Sequence, residues 1–263
     1  MVKTWPVGTA AVAVVKDAGV AASAGPDTPL PWASVTKLLT TLTVLVEVGR
    51  GSVTLDDPAG PPGSTVRHLL AHASGIGPAD DSVLSKPGRR RIYSNRGYEV
   101  LADLVADRTG TSFADLMDAS VLRPLGMTAT ALAGSPASGA RGPIGDLSAL
   151  GRELLAPTLV PELIAAATRT AFPGLSGVLP GFGRQDPNDW GLGFEIRDGK
   201  APHWTGSRNS PETFGHFGQA GGFLWVDPVA GLACACLTDR SFGEWAAQAW
   251  PPFSDQVLQE FAG

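Results

Sequence analysis

Residues 33–48 read ASVTKLLTTLTVLVEV and form the most apolar helical stretch of the 263-residue chain. Leucine, valine and threonine leave little polar face, which is typical of a helix buried on all sides. We therefore expect a central helix that begins at Ser34, runs to about Val48 and ends near Gly51. Because Lys37 follows Ser34 by three residues, the two side chains share one face of this helix.

This pair of side chains suits nucleophilic catalysis. A serine hydroxyl is a weak nucleophile at its own pKa and needs a base beside it. Leucine and valine surround Lys37 in the sequence, so its amine should lose hydration, which disfavours the charged form and lets the amine act as a base. The positive dipole at the start of the helix would favour the oxyanion of an acyl intermediate. An S-x-x-K pair alone is a weak signal, because a capping serine and an unrelated lysine produce it by chance.

Hydrophobic periodicity divides the remainder of the chain. Residues 8–24 indicate two strands around a turn at Lys16–Gly19. Helical spacing dominates from Val66 to about Ala167, and glycine-rich turns separate strand-like runs after Trp190. The predicted helices are Tyr98–Thr109, Phe113–Ser120, a segment around Asp146–Leu155, and Glu244–Phe261, and the later predicted strands are Gly191–Ile196, Phe223–Val226 and Leu232–Leu237.

This order of elements predicts an α+β fold, in which both ends of the chain form one antiparallel sheet flanked by helices. We expect a single domain over residues 1–263, with an α/β lobe of about residues 1–60 and 185–263. A mostly helical lobe of about residues 61–184 is inserted between those two parts. A ligand site is expected in the cleft between the lobes.

A second motif, Tyr93-Ser94-Asn95, follows the serine and the lysine along the chain. It is a more discriminating match, because the chain has only two tyrosines. A phenol near a lysine ammonium is more acidic than usual, so we expect a phenolate at Tyr93 that can take the serine proton. Asn95 can donate to a substrate carbonyl or accept from Lys37.

The third motif is His216-Phe217-Gly218, followed by Gln219 and a glycine-rich turn. A strand edge with glycine beside a nucleophile can offer backbone N–H groups to a developing oxyanion. His216 is a candidate either for binding a substrate carboxylate or for tuning the proton of Tyr93. The triplet is common by chance, and its place after the two other motifs gives it weight.

Composition excludes several classes of partner. The formal net charge is −5, and no run of Lys and Arg is long enough to suggest a nucleic-acid surface. No apolar run is long enough to span a membrane.

Three consecutive arginines, residues 89–91, indicate either a solvated turn or attraction of a substrate carboxylate. Cys234 and Cys236 would share one strand face, so we predict buried thiols without a disulfide, and we expect neither a metal nor a cofactor.

The N-terminal segment imitates a secretory signal. Lys3 precedes an apolar stretch, Val7–Val15, and the small residues Ala21–Ala24. A turn signal interrupts this pattern, and removal of the segment would remove the strand pair that precedes Ser34. We therefore interpret the segment as strands and expect a cytoplasmic protein.

With these motifs in place, the chain resembles the serine β-lactamase and penicillin-binding-protein superfamily, nearest the class C β-lactamases and the β-lactamase-like carboxylesterases. The stretches that carry the resemblance are ASVTKL (33–38), LLAHASGI (69–76), YSNRG (93–97), PLGM (124–127) and LWVDP (224–228). The resemblance implies a β-lactamase/transpeptidase-like fold with the Ser34 helix between its two lobes. It also implies that Ser34 is acylated, that Lys37 and Tyr93 together act as general base and general acid, and that Asn95 lines the pocket.

The resemblance also assigns roles to the third motif. His216 would stand where the family more usually has the lysine of a K-T-G strand. The oxyanion hole would use the backbone N–H groups of Ser34 and Gln219, the residue that follows Gly218. His72 lies in an H-x-S-G stretch that is structural in the family.

Two further aromatic residues are weaker candidates for the functional site. His203 has no partner motif in the sequence, so a satisfied or exposed histidine is the default interpretation. Trp204 suits a substrate platform and a buried aromatic equally well.

Three departures from the family pattern bear on the substrate. Only about eighteen residues, Ile76–Tyr93, bridge a gap that is long in relatives, so we expect a wider and less selective pocket. Histidine replaces lysine in the third motif, as in esterase-like members, and no glutamate loop of the class A type is recognisable. These features favour hydrolysis of a small ester or amide, most of all a small ester, through an acyl-Ser34 intermediate.

Two alternatives to an esterase stay open. The first is a β-lactamase or D-alanyl-D-alanine carboxypeptidase, which would use the same acyl-serine chemistry. The second is a catalytically silent relative that binds its ligand without cleaving it. The sequence does not indicate the oligomeric state.

Overall fold

Eleven strands and seven α-helices lie within residues 2–262, the part of the chain that the computed structural model describes. The strands are β1 (Ala10–Lys16), β2 (Gly19–Ala24), β3 (Leu30–Pro31), β4 (Ala131–Leu132), β5 (Ala140–Gly142), β6 (Gly177–Leu179), β7 (Gly183–Gln185), β8 (Glu195–Ile196), β9 (Phe214–Gly218), β10 (Gly222–Asp227) and β11 (Leu232–Thr238). The helices are α1 (Thr36–Arg50), α2 (Val66–Leu70), α3 (Asn95–Thr109), α4 (Phe113–Met117), α5 (Ile144–Leu155), α6 (Pro161–Ala167) and α7 (Glu244–Phe261). None of these helices combines the length and the hydropathy needed to cross a bilayer.

Six strands form the main sheet, which is antiparallel and has the order β2-β1-β11-β10-β9-β8. The first two strands come from the N-terminal part of the chain and the other four from its C-terminal part, and the two groups meet where β1 pairs with β11. Helices α1 to α6 lie between these groups in the sequence. The predicted α+β fold, with a sheet built by both ends of the chain, is therefore confirmed.

Different helices bury the two faces of the main sheet. Along β1, Ala11, Ala13 and Val15 belong to the core that contains α1 and α5, whereas Val12 and Val14 belong to the core under α7. Successive strand residues point to opposite faces, so five consecutive buried residues require a cover on each face. This three-layer arrangement fixes β9 and β10 next to the start of α1.

The cysteines lie in this sheet as the sequence indicates. Cys234 and Cys236 are free and buried in β11, and both belong to the core under α7. Their spacing of two places both thiols on one face of the strand, which is unsuitable for a bond between them. The prediction of buried thiols is confirmed.

Helix α1 is buried along most of its length, with every residue from Thr36 to Glu47 shielded from solvent. It packs against α3, α4 and α6 on one side and against β9 on another, which explains the absence of a polar face. It ends at Gly51, whose φ of 79° is a left-handed conformation that glycine adopts without strain. The predicted central helix is confirmed, although Ser34 lies in a 3₁₀ turn just before it.

Helix α3 begins three residues earlier than predicted. The hydroxyl of Ser94 accepts a hydrogen bond from the Gly97 N–H at 2.9 Å and caps the helix, so that Asn95 is its first residue. The helix ends before Gly110, as predicted. The following predicted helix keeps α-helical hydrogen bonds only as far as Met117 and continues as a π turn.

The three consecutive arginines do not form one surface. Arg91 is buried, and its guanidinium donates to the carbonyl oxygens of Ala71 (2.6 Å), Ala171 (3.0 Å) and Asn188 (3.0 Å). Burial lowers its pKa to about 10, which still leaves it charged at neutral pH. Both interpretations of this cluster are therefore wrong for Arg91, which anchors the segment before Tyr93, and they stay open only for its two exposed neighbours.

We predict that Arg91→Gln lowers the free energy of unfolding by about 3 kcal/mol, because it leaves buried carbonyl oxygens without a donor. The adjacent variant Arg90→Gln is the matched control, and at an exposed position it should change that free energy by less than about 0.5 kcal/mol. Urea denaturation followed by tryptophan fluorescence measures both. Equal unfolding midpoints for the two variants would contradict the anchoring role of Arg91.

Candidate active site

Ser34 is presented by an anchored and strained turn. The preceding Trp32 is buried, and its backbone N–H donates to the Ala140 carbonyl at 2.9 Å while its indole donates to the Gly142 carbonyl at 3.1 Å. Ala33 has a φ of 45°, a conformation that costs free energy for a residue with a Cβ. The turn leaves Ser34 partly accessible, directly before α1.

The amine of Lys37 is buried on the same side of this turn. Its Nζ lies 2.7 Å from Asn95 Oδ1, 2.9 Å from the Ala137 carbonyl oxygen and 3.3 Å from Ser34 Oγ. Burial lowers the pKa of Lys37 to about 7, although the charge of Glu99 acts to raise it. A neutral amine has two N–H bonds, which suit the asparagine and carbonyl oxygens, and one lone pair, which then faces the serine hydroxyl. The structure thus brings together the pair that the S-x-x-K spacing singled out.

Tyr93 completes the group around the serine. The Nζ of Lys37 lies 4.8 Å from the centroid of the Tyr93 ring. Burial raises the pKa of Tyr93 above its ordinary value, and its hydrogen bond with Ser34 offsets this only in part. The phenol is therefore protonated at neutral pH, and the expectation of an unusually acidic phenol is wrong.

His216 faces Tyr93 from β9. Its Nδ1 lies 2.6 Å from the carbonyl oxygen of Phe217, so Nδ1 carries the proton and donates it in a hydrogen bond. Nε2 is then an acceptor, 3.5 Å from the Tyr93 hydroxyl. Burial and, after it, the charge of Lys37 lower the pKa of His216 to about 3. Because a neutral imidazole is a poor ligand for an anion, the geometry favours tuning of the Tyr93 proton over binding of a carboxylate.

Gly218 and Gln219 bring the end of β9 against the serine turn. A Cβ at Gly218 would clash with the Trp32 carbonyl oxygen and lie 3.2 Å from the Ser34 nitrogen, so only glycine fits. Within residues 2–262, neither the Ser34 nor the Gln219 backbone N–H donates a hydrogen bond, and both residues line one cavity. Two unpaired donors at a cavity beside a nucleophile suit an oxyanion.

The cavity in front of Ser34 has a volume of about 200 Å³. It is lined by Ser34, Tyr93, Asn95, Leu179, Pro180, Trp190, Glu195, His216, Phe217 and Gln219. Lys37 and Gly218 lie directly behind this lining, in contact with the serine turn. All seven site residues predicted from the sequence are therefore at one place.

Sequence reasoning missed the buried carboxylate of Glu195. It forms an ion pair with Lys200 and accepts hydrogen bonds from His203 Nε2 (2.9 Å) and the Trp204 indole (3.0 Å). Burial acts to raise the pKa of Glu195, but the charges of His203 and Lys200 outweigh it and lower that pKa to about 2. Trp204 is thus a buried partner of this network and not a substrate platform, and His203 has a partner that no sequence motif signals.

His72 supports Tyr93 from inside the protein. Its Nδ1 accepts a hydrogen bond from the Ser94 N–H at 3.1 Å, and its ring centroid lies 4.6 Å from that of Tyr93. It is fully buried and does not line the cavity. Its place in the structure agrees with the structural role expected for it.

A sequence model of the Beta-lactamase family matches residues 6–259. A beta-lactamase of Mycobacterium bovis, Mb2281c, has a solved structure that is 52% identical in sequence, with a TM-score of 0.98 and coverage of 100% of this chain and 98% of that one. EstCE1, a hydrolase with promiscuous acyltransferase activity, has the same fold at 16% identity, with a TM-score of 0.78 and coverage of 100% and 95%.

A curated relative is more distant and longer. The D-alanyl-D-alanine-carboxypeptidase/endopeptidase AmpH of Escherichia coli (strain K12) is 28% identical over 147 residues, which cover 42% of this chain and 38% of AmpH. The match thus spans well under half of that relative. The breadth of the family match and the Mb2281c structure bear out the resemblance and the β-lactamase/transpeptidase-like fold inferred from the motifs.

We predict that Gly218→Ala lowers the free energy of unfolding by about 2 kcal/mol, because the added methyl group pushes β9 away from the serine turn. Gly199→Ala is the matched control, since a Cβ there meets nothing within 4 Å, and its effect should stay below about 0.5 kcal/mol. Urea denaturation again provides the measurement. Wild-type stability of Gly218→Ala would mean that β9 does not approach the turn this closely.

Proposed function

Because the chain belongs to the Beta-lactamase family, whose members are serine hydrolases of this fold, we propose that it hydrolyses small esters through an acyl-Ser34 intermediate. The observation that carries the proposal is the buried amine of Lys37, 3.3 Å from Ser34 Oγ and with a pKa of about 7. A base with a pKa near the working pH is both populated in its free form and basic enough to accept a proton.

In the proposed acylation step, Ser34 Oγ attacks the ester carbonyl carbon and its proton passes to the lone pair of Lys37. The carbonyl oxygen becomes an oxyanion, which accepts hydrogen bonds from the Ser34 and Gln219 N–H groups. Collapse of this intermediate breaks the bond to the leaving oxygen. Tyr93, a protonated phenol, donates its proton to that oxygen and regains one from Lys37, whose amine is then neutral again.

Deacylation repeats the step with water. A water molecule attacks the acyl carbon and gives its proton to the neutral amine of Lys37, because Tyr93 is again a protonated phenol. The bond to Ser34 Oγ breaks, and the ammonium of Lys37 returns the proton to the serine. The acceptor His216 Nε2, 3.5 Å from the Tyr93 hydroxyl, keeps the phenol hydrogen-bonded between proton transfers.

Two features support a small ester as substrate. The cavity of about 200 Å³ has apolar walls at Leu179, Trp190 and Phe217, which suit a short acyl chain. His216 is neutral, so it supplies no fixed positive charge for the carboxylate of a lactam. A cytoplasmic location, which is part of the same proposal, would also separate the protein from lactams and cell-wall precursors.

The second candidate is a β-lactamase or a D-alanyl-D-alanine carboxypeptidase. Similarity to Mb2281c and to part of AmpH favours it, and it uses the same acyl-serine chemistry. A silent binding protein is less well supported, because the nucleophile, the amine, the phenol and the asparagine are all present at one place. The rates of turnover of different substrates therefore distinguish these candidate activities.

We predict that the protein turns over p-nitrophenyl butyrate and that Ser34→Ala lowers kcat/KM by about 10⁴-fold or more. The exposed serine variant Ser23→Ala is the control and should keep wild-type activity. Intact-protein mass spectrometry should detect a butyryl adduct in wild type and in Ser23→Ala only. Faster turnover of a chromogenic cephalosporin, or of a D-alanyl-D-alanine peptide, would favour the second candidate, and no adduct with any of these reagents would favour a binding protein.

We predict that kcat/KM for this ester rises with pH through an apparent pKa near 7 and then reaches a plateau. The sign follows from Lys37, since only its deprotonated amine can accept the serine proton, and this form is lost as pH falls below its pKa. His216, with a pKa of about 3, adds no inflection above about pH 5. Initial rates across this range test the prediction. A profile that falls as pH rises through 7 would show that the protonated amine is the active form.

A further inference from the structure

A second cavity adjoins the catalytic one on the side of Tyr93. It is an open groove of about 550 Å³, and Tyr93 and Pro180 line both spaces. Ser34 and Gln219, which flank the reacting carbonyl in the proposed mechanism, line only the smaller cavity. A substrate that reaches both spaces would therefore pass Tyr93 on its way from the acyl cavity into the groove.

The groove has an apolar and unusually exposed wall. Leu84 is 49% exposed and Val178 is 60% exposed, and both line it. They are two of the five large hydrophobic side chains that lie exposed within residues 2–262. Clustered exposed apolar side chains beside a catalytic cavity are typical of a ligand-binding surface.

Positively charged side chains line the same groove. Its lining contains three arginines, residues 90, 91 and 184, and no aspartate or glutamate. Arg91 is occupied by backbone carbonyls, whereas Arg90 is exposed and forms no ion pair within residues 2–262. Arg184 lies 3.2 Å from Asp186, but both side chains are largely exposed, so the pair is weak and leaves the guanidinium available.

We propose that this groove, formed by Leu84, Val178, Arg90 and Arg184, binds a leaving group that has an apolar body and a carboxylate. The inference rests on the proposed ester hydrolysis, in which Tyr93 protonates the leaving oxygen. Because Tyr93 lines both spaces, the leaving group extends from that oxygen into the groove and the acyl group stays in the smaller cavity. The apolar body contacts the valine and leucine, and the carboxylate lies between the two guanidinium groups.

Two chromogenic esters with the same acyl group test this assignment. One is 3-carboxy-4-nitrophenyl butyrate, and the other is its neutral methyl ester at the carboxyl group. The measured quantity is the ratio of kcat/KM for the anionic ester to kcat/KM for the neutral one. We expect this ratio to fall about threefold in Arg90→Gln and in Arg184→Gln and about tenfold in the double variant, as exposed charge pairs allow.

Two controls accompany these variants. Arg152→Gln removes the same charge from an exposed position that does not line the groove, and it should leave both rates at wild-type values. In wild type, raising NaCl from about 0.02 M to 0.5 M should lower the ratio, because salt screens exposed charges. The double variant should lose this salt dependence.

The outcomes separate this inference from the proposed function. If both esters acylate Ser34 but the ratio is the same in wild type and in the double variant, the assignment of the groove is wrong and ester hydrolysis stands. An equal fall in Arg152→Gln would also overturn it, because net charge would then explain the effect. If neither ester acylates Ser34, the proposed function and the inference fail together.

Discussion

The desolvated amine of Lys37 is the constraint on which the site depends. A buried ammonium is costly unless an opposite charge lies beside it. The hydrogen-bond partners of Lys37 are the Asn95 side chain, the Ala137 carbonyl and the Ser34 hydroxyl, and none of them is charged. The charged form is therefore disfavoured, and the amine becomes a base at neutral pH. The apolar residues that surround it in α1 each contribute roughly 2 kcal/mol through burial, and this offsets the cost of enclosing the amine.

The same exclusion of water acts on the neighbours of this amine. It raises the pKa of Tyr93 and lowers that of His216, so the phenol and the imidazole are both neutral at physiological pH. The proposed reaction would create charge in this cluster, and the backbone N–H groups of Ser34 and Gln219, which have no acceptor within residues 2–262, are the donors proposed to stabilise it. The fixed charge of Glu195, which is paired with Lys200, acts to raise the pKa of His216, but burial and the charge of Lys37 outweigh it.

How much of the site could be predicted depends on how far apart in the sequence the interacting residues are. The spacing of Ser34 and Lys37 and the apolar surroundings of the lysine are local, so the sequence sufficed for the pair and for its buried helix. The strained turn before the serine depends on hydrogen bonds from Trp32 to residues 140 and 142, more than 100 positions away. The pKa of Tyr93 was predicted in the wrong direction, because the sequence showed the nearby amine but not the burial that dominates.

The buried charges of Arg91 and Glu195 could not be predicted, because their partners also lie far away in the sequence or in irregular loops. Arg91 is indistinguishable from its exposed neighbour Arg90 in a run of three arginines, and only the carbonyls of distant loops make it an anchor. Glu195 lies in a glycine-rich run that indicates a strand, but its partners Lys200 and His203 come from a loop whose path no local pattern specifies. Local patterns thus identify the groups of a site, whereas the charge each group holds depends on tertiary burial.

The contrast between the two adjoining spaces shows how such burial can orient a ligand. The smaller cavity is lined by apolar side chains and neutral polar groups, with the carboxylate of Glu195 already paired, so an anion entering it would lose hydration without gaining a cationic partner. The groove beyond Tyr93 is open to solvent and is lined by the unpaired guanidinium group of Arg90. An anion bound there therefore keeps part of its hydration shell and is attracted by this positive charge. The attraction is modest, whereas the cost of desolvation in the smaller cavity is large. The direction in which a charged ester would bind is therefore determined more by exclusion from the neutral cavity than by attraction to the groove.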